Sequence, residues 1–234
     1  MKICLVSAVW QRPEIFELFA KGIEKLINAH SPPHQIEVVI AGSEGDKSRF
    51  MVERHKFRYV EVPNEPLAEK HNAALKLAQD LDPDYVVCLG SDDILSPELF
   101  SLYLKEMEDG VSIIGVTDFY FYDIIQNKAL YWGGYSDKQR KGLFCGAGIA
   151  LSKKFCNLWG WRLWNKAHNK VLDNSLHDKI KITPYRRTSI SLKQNGVYAV
   201  DVKSPVNMTP FEPWVNTTEI DSKEILEQFN YLQE

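Results

Sequence analysis

Tyr85-Val86-Val87-Cys88-Leu89-Gly90-Ser91-Asp92-Asp93 is the stretch on which the reading of this chain turns. Its first five residues are apolar or aromatic without interruption, the pattern of a strand covered on both faces. The run then breaks into Gly-Ser and two adjacent carboxylates. Neighbouring Asp side chains at a strand end repel each other, and a divalent cation shared with a phosphate relieves that repulsion, because Mg²⁺ and Mn²⁺ favour oxygen ligands and commonly take one or two carboxylates plus phosphate oxygens. Asp-Asp is also good turn and N-cap chemistry, and Pro97-Glu98 just beyond reads as a helix start, so the pair alone leaves both readings open.

Upstream, the same alternation repeats. Lys2–Val9 is a short β-rich run, followed by Pro13 and then Ile15, Phe16, Phe19, Ile23, Leu26 and Ile27 at helical spacing. Gln35–Ile40 is a second strand that runs into the small polar loop Ala41-Gly42-Ser43-Glu44-Gly45-Asp46, Arg58–Val62 a third, and Asn72–Ala78 a strong helix. Strands alternating with helices predict an α/β domain with a mostly parallel sheet flanked by helices. Ligands of such sheets bind at the carboxyl ends of the strands, so Trp10 and Arg12, Ser43, Glu44 and Asp46, and Asp92 and Asp93 are expected at one edge.

Downstream the pattern is less regular: aromatic-rich Asp118–Tyr122, a Tyr131-Trp132-Gly133-Gly134-Tyr135 turn, and Gly142–Leu151 with Gly146-Ala147-Gly148. Residues 219–232 read as an amphipathic helix with Ile220, Ile225, Leu226 and Phe229 on one side. No second core, repeat or linker is visible, and one domain over 1–234 is the economical expectation.

Composition narrows the class. With 44% hydrophobic and 25% charged residues the chain is an ordinary globular protein, and no run approaches the ~18 apolar residues of a membrane span. Met1–Val6 is too briefly apolar for a secretory signal, so a cytoplasmic location is expected. Cys4, Cys88, Cys145 and Cys156 are too scattered for a zinc site and read as packed thiols. The Asn-x-Thr sequons at Asn207 and Asn216 carry little weight in that setting. His30 and His34 flank Pro32-Pro33 and read as loop residues. No Walker A, dinucleotide fingerprint, HExxH or GxSxG motif is present.

The net charge of −3 conceals a dipole. Residues 1–135 hold 13 Lys/Arg against 21 Asp/Glu, residues 136–203 hold 14 against 4, and residues 204–234 hold 1 against 6. The basic middle segment is either solvated surface or a face for a polyanion.

Tyr85–Phe100 resembles the DXD region of the family 2 glycosyltransferases with the GT-A fold, and the likeness extends further. Val6–Pro13 resembles that family's first strand and donor loop, Pro63–Ala74 its Asn…Gly…Asn-Ala stretch, Gly146–Lys154 its Gly-rich strand, and Leu172-Asp173-Asn174-Ser175-Leu176 the segment that carries the acid/base carboxylate. Three positions depart from the pattern. Ile40-Ala41-Gly42-Ser43 stands where the family has Asp-Asp-Gly-Ser, Gly90 replaces the first Asp of Asp-x-Asp-Asp, and Leu172 replaces the Glu before Asp173.

The resemblance implies a single GT-A domain with a nucleotide-sugar-binding half over 1–100, an acceptor half over 101–205 and a C-terminal extension over 206–234. It implies a hexosyl transfer from a nucleotide-sugar donor, a UDP-sugar foremost, to a hydroxyl with inversion, assisted by Mn²⁺ or Mg²⁺. Asp92 and Asp93 would hold the metal, and Ala8, Trp10, Arg12, Ser43, Glu44, Lys70, Asn72, Ser91 and Asp92 the donor. Asp173 would be the base, with Asp178, His177 and a mere helix-capping role for Asp173 as alternatives. Gly148, Trp161 and Trp164 would face the acceptor. Trp159, Trp161 and Trp164 could equally fill the core. The basic segment favours a polyanionic acceptor: DNA with a hydroxymethylated base, or an anionic surface or lipid-linked glycan. A sugar-nucleotide-forming nucleotidyltransferase and a non-catalytic nucleotide-sugar-binding module are the competing readings.

Overall fold

The computed structural model describes residues 1–165, 172–207, 211–212 and 215–233. In chain order the elements are β1 (Lys2–Ala8), α1 (Pro13–His30), β2 (Gln35–Gly42), α2 (Asp46–Glu53), β3 (Arg58–Glu61), α3 (Leu67–Asp80), β4 (Tyr85–Cys88), β5 (Asp93–Leu95) and α4 (Pro97–Glu108). They continue with β6 (Ile113–Val116), β7 (Phe119–Asp123), β8 (Lys128–Trp132), β9 (Ile149–Ser152), α5 (Lys153–Leu158), α6 (Leu172–Ile182), β10 (Arg187–Ile190), α7 (Leu192–Asn195), β11 (Ala199–Lys203), β12 (Thr217–Ile220) and α8 (Ser222–Gln228).

The main sheet has seven strands in the order β10-β6-β9-β4-β1-β2-β3, and all its pairings are parallel except those of β9. Strand alternation builds a core on each face. Ile3 and Leu5 of β1, Val38 and Ile40 of β2, and Tyr85 and Val87 of β4 point to the side covered by α1 and α4. Cys4 and Val6, Val39 and Ala41, and Val86 and Cys88 point to the side of α3, α5 and α6. Two-sided burial is why these strands read as unbroken apolar runs. Helix α1 starts where Pro13 supplies its first turn, and α4 where the Ser96 hydroxyl accepts from the Leu99 amide. All four cysteines are free and buried, as packed thiols should be.

A second sheet, β12-β8-β7-β11-β5, was not legible in the sequence. It shares the α1/α4 core rather than building its own, because Phe119, Phe121, Leu130, Val200 and Val202 join the same apolar cluster. The fold is therefore one α/β domain. The C-terminal amphipathic helix over 219–232 is corrected. Ile220 lies in β12, paired with Ala129 of β8, and only Ser222–Gln228 is α-helical, with a 3₁₀ turn at Asn230–Gln233. The apolar side is nonetheless real, since Ile225, Phe229, Tyr231 and Leu232 are buried in that shared core. The expected turn at 131–135 starts later, Tyr131 and Trp132 being the end of β8. Among the described residues no helix is long and apolar enough to cross a membrane.

Candidate active site

The carboxyl ends of β1, β2 and β4 meet at one edge, and the loops that leave them carry the polar residues expected there. After β4 the chain turns at Gly90 so that Asp92 and Asp93 both fold back over it. A methyl group on Gly90 would stand 2.6 Å from Asp92 Oδ1 and 2.6 Å from Asp93 Oδ2. The Gly90 amide donates to Asp93 Oδ2 at 2.6 Å. Glycine at this departure from the family pattern thus makes room for the two carboxylates that remain; a side chain there would push them off their positions.

Asp93 is the first residue of β5, whose antiparallel ladder with β11 sets it directly opposite Asp201. Asp92, Asp93 and Asp201 each offer an oxygen within 4.8 Å of the others. Burial, reinforced by Asp92 and Asp201, lifts the Asp93 carboxyl well above the usual carboxylate range. Burial and then Asp92 push Asp201 up to about 7, even though Lys203 Nζ donates to its Oδ2 at 2.6 Å. Among the described residues Asp201 Oδ1 is buried with no partner. Three crowded carboxylates, one with an orphaned oxygen, are a hard-oxygen donor set that fits Mg²⁺ or Mn²⁺. The sequence reading missed Asp201. The signal for it was an acidic residue set between the apolar Val200 and Val202 of a strand.

Asp92 is held from two further sides. Its Oδ2 accepts from Arg12 Nη1 at 2.7 Å and from Asn207 Nδ2 at 2.8 Å, while Arg12 Nη2 donates to Ser91 Oγ at 2.9 Å. Arg12, Ser91 and Asp92 are therefore joined, and in this state Arg12 neutralises a carboxylate. Asn207, which sequence reasoning left as an idle sequon, is fixed by accepting from Ser204.

The other expected donor residues fall in two groups. Trp10 stands 46% exposed beyond the buried Ala8, and Glu44 accepts from the Gln11 amide at 2.9 Å, closing the β1 loop against the β2 loop. Ser43 and Lys70 lie deeper. Lys70 is 1% exposed and spends its ammonium on the Val9 carbonyl (2.8 Å), Ser43 Oγ (3.0 Å) and Asn64 Oδ1 (3.1 Å). Burial draws its pKa down to about 8. It ties the strand ends together and has no N–H left for a diphosphate. Asn72 is likewise engaged: Oδ1 accepts from the Leu163 and Trp164 amides at 3.0 and 3.2 Å, and Nδ2 donates to the Trp164 carbonyl at 2.8 Å. Its amide grips the 163–164 backbone rather than facing a donor.

Asp173, in the first turn of α6, packs so tightly on Gly146 that a methyl group there would lie 2.3 Å from Asp173 Oδ1. Burial raises its pKa, with His177 opposing. Asp173, the acidic cluster, Trp164, Tyr135 and Arg140 line one cleft of about 700 Å³. Of the alternative bases, Asp178 is exposed and His177 is buried with a ring N–H given to the Phe144 carbonyl. Whether Asp173 is also a cap involves residue 171, outside the described residues. Two acceptor-side expectations are corrected. Trp161 is 2% exposed within the α3/α6 core and bonded to Asn157, so it cannot reach an acceptor. Gly148 gives its carbonyl to Tyr103, and Gly146 and Ala147 line the cleft instead.

Among the described residues the basic excess of 136–203 is divided between this cleft and other surfaces. Lys153 pairs with Asp82 and Lys154 covers Tyr185, both at the far end of β4, whereas Arg140 lines the mouth. Lys166 and Lys170 lie outside the described residues.

A two-faced α/β sheet with an acidic cluster at the strand ends and a cleft that also holds a half-buried carboxylate is the GT-A arrangement of glycosyltransferases. The chain belongs to glycosyl transferase family 2, which its sequence matches over residues 13–191. No curated protein matches the chain. Among solved structures, S. aureus TarS 1-349 is similar with a TM-score of 0.63 at 13% identity, over 86% of this chain and 60% of that one. The same fragment in complex with UDP-GlcNAc gives 0.56 at 13% identity, over 88% and 60%. The bifunctional IspDF from Campylobacter jejuni gives 0.52 at 12% identity, over 82% and 50%. The chain thus spans between half and three-fifths of the length of these structures.

Proposed function

We propose that this glycosyltransferase moves a hexose from a UDP-sugar to an acceptor hydroxyl with inversion. The observation that carries the reading is that the cluster of Asp92, Asp93 and Asp201 and the separate carboxylate of Asp173 line one and the same cleft. Asp92, Asp93 and Asp201 would hold a divalent cation, Mn²⁺ or Mg²⁺. That ion, when bound, supplies Lewis-acid stabilisation of a leaving diphosphate. The UDP donor is supported by the family and by the UDP-GlcNAc complex of the similar TarS fragment. Arg12 and Ser91 would keep Asp92 oriented, and Trp10, Ser43 and Glu44 would border the nucleotide half, residues 1–100.

Asp173 takes the acceptor proton as the new bond forms. Its raised pKa suits it to that task, since a base gains from an affinity for the proton it must accept. Attack from the Asp173 side in one displacement inverts the anomeric carbon. The acceptor half, 101–205, presents aromatic faces, Trp132, Tyr135 and Trp164, and one cation, Arg140. We infer a hydroxyl on a flat ring that stacks there, with Arg140 beside an adjoining phosphate or carboxylate.

The family match leaves no role for the nucleotidyltransferase alternative, and the room Gly90 makes for Asp92 and Asp93 argues against a degenerate binding module. The test is a screen of UDP-sugars with Mn²⁺ for thermal stabilisation and slow donor hydrolysis. A ligand at 100 times its dissociation constant adds about 2.7 kcal/mol. Stabilisation by a UDP-sugar is expected; a screen in which no nucleotide sugar binds or hydrolyses overturns the reading.

A further inference from the structure

His71 has a place on the cleft wall that the donor and metal residues do not account for. It is the fifth residue of α3, one before Asn72, and it lines the cleft together with the acidic cluster and Trp164. The ring packs on the Trp164 indole with centroids 5.1 Å apart. That indole cannot drift, because Asn72 holds the Trp164 backbone through both its N–H and its carbonyl. Two consecutive residues of one helix thus build a rigid wall: Asn72 fixes the loop and His71 seats its ring.

One polar atom of His71 is not used by the fold. Its Nδ1 is buried without a hydrogen-bond partner among the described residues. Leaving a buried polar nitrogen unpaired costs on the order of 1–3 kcal/mol, and such orphans need a reason. A ligand hydroxyl met by a turn of the ring would supply one. The ring is also held neutral: burial, then Lys70 and Arg12, lower its pKa to about 4. A bound cation at the acidic cluster would act in the same direction. Neutral imidazole has one N–H donor and one nitrogen acceptor, the complement of a hydroxyl. It is a poor partner for a phosphate, which wants donors only.

Position then selects which hydroxyl. The transferred sugar would lie in the cleft that carries both the diphosphate site at Asp92 and Asp93 and the base Asp173, and His71 and Trp164 line that same cleft, His71 within reach of the Asp92 charge. We propose that His71 is a sugar-reading residue, whose imidazole hydrogen-bonds a hydroxyl of the transferred hexose seated beside Trp164 and so selects among nucleotide sugars. The proposal rests on the glycosyl-transfer reading above.

Calorimetry in Mn²⁺ tests it with three probes: UDP, the UDP-hexose that stabilises the wild type most, and the monodeoxy analogues of that donor. His71→Ala and His71→Asn are compared with wild type, and thermal midpoints establish that each is folded. His71→Ala is expected to bind UDP as wild type does, to bind the UDP-hexose roughly tenfold or more weakly, and to stop distinguishing one deoxy analogue from the parent sugar. His71→Asn, which keeps a neutral donor and acceptor, should recover part of the loss. Unchanged affinity for the UDP-hexose in His71→Ala, or equal losses for UDP and UDP-hexose, overturns the proposal while leaving glycosyl transfer intact. A wild type that binds neither UDP nor any UDP-hexose removes the underlying reading, and this proposal with it.

Discussion

Asp93 and Asp201 face each other across the antiparallel β5–β11 ladder, which crowds a buried and a half-buried carboxylate that no local sequence pattern joins. Crowding of this kind is tolerated when a cation is shared, and it assigns Asp201 a definite role. Asp201→Asn should fold but weaken Mn²⁺ binding by roughly ten- to a hundredfold or more, because even outer-shell partners of a metal are worth that much. Titration of Mn²⁺ followed by thermal midpoint measures it. Wild-type Mn²⁺ affinity in the variant would take Asp201 out of the ligand set.

Asp173→Asn separates binding from chemistry. Transfer should fall by about 10²–10⁴-fold while donor affinity is kept. Stability should move the other way. The folded-state pKa of Asp173 is raised above its unfolded value, so the folded state binds the proton more tightly and stability is lost as pH rises past the ordinary carboxylate range. Asn carries no such penalty. The midpoint of the variant relative to wild type is therefore expected to climb between pH 4 and pH 7, and a variant that is less stable than wild type at pH 7 contradicts the buried-base assignment.

Gly146→Ala tests the same carboxylate without touching it. A methyl group 2.3 Å from Asp173 Oδ1 must displace the base. Turnover should drop with little change in donor affinity, whereas full activity in this variant would mean that the Asp173 position is not critical.

Much of this was visible before the structure. The β1, β2 and β4 runs, the helices α1 and α3, and the carboxylate pair after β4 all have local causes: two-sided burial, helical spacing, a strand ending on Gly-Ser-Asp-Asp. What stayed hidden depends on contacts between distant segments. Asp201 joins Asp93 only through strand register, and β5, three residues long, has no periodicity to announce it. Asn72 and Lys70 were expected at the donor because Pro63–Ala74 resembles the family's Asn…Gly…Asn-Ala stretch. In the fold both are consumed by backbone and side-chain groups of their own chain. Trp161 and Trp164, three apart in sequence, are both buried in the same core cluster, but only Trp164, whose backbone Asn72 holds, also lines the cleft. The basic segment could not be placed for a related reason: charge counted along a chain carries no information about which end of the sheet receives it.

Arg12→Ala should cost the cation-free protein about 1.5–3 kcal/mol, the worth of hydrogen bonds to a charged group, as Asp92 loses its 2.7 Å partner. A bound cation neutralises the same carboxylate, so the deficit should shrink in saturating Mn²⁺. Denaturant unfolding of wild type and variant with and without Mn²⁺ gives the four values needed. A deficit that is the same in both conditions would mean that Arg12 and the cation do not share Asp92.

The central claim is that Asp92, Asp93 and Asp201 hold a cation that steadies the donor diphosphate. Its most direct measurement is UDP binding by calorimetry in Mn²⁺ and again in excess chelator, for wild type and for Asp93→Asn. The account predicts tight binding only for wild type with Mn²⁺, and loss of it under chelator or in the variant. Equal UDP affinity in chelator and in Mn²⁺ would contradict it.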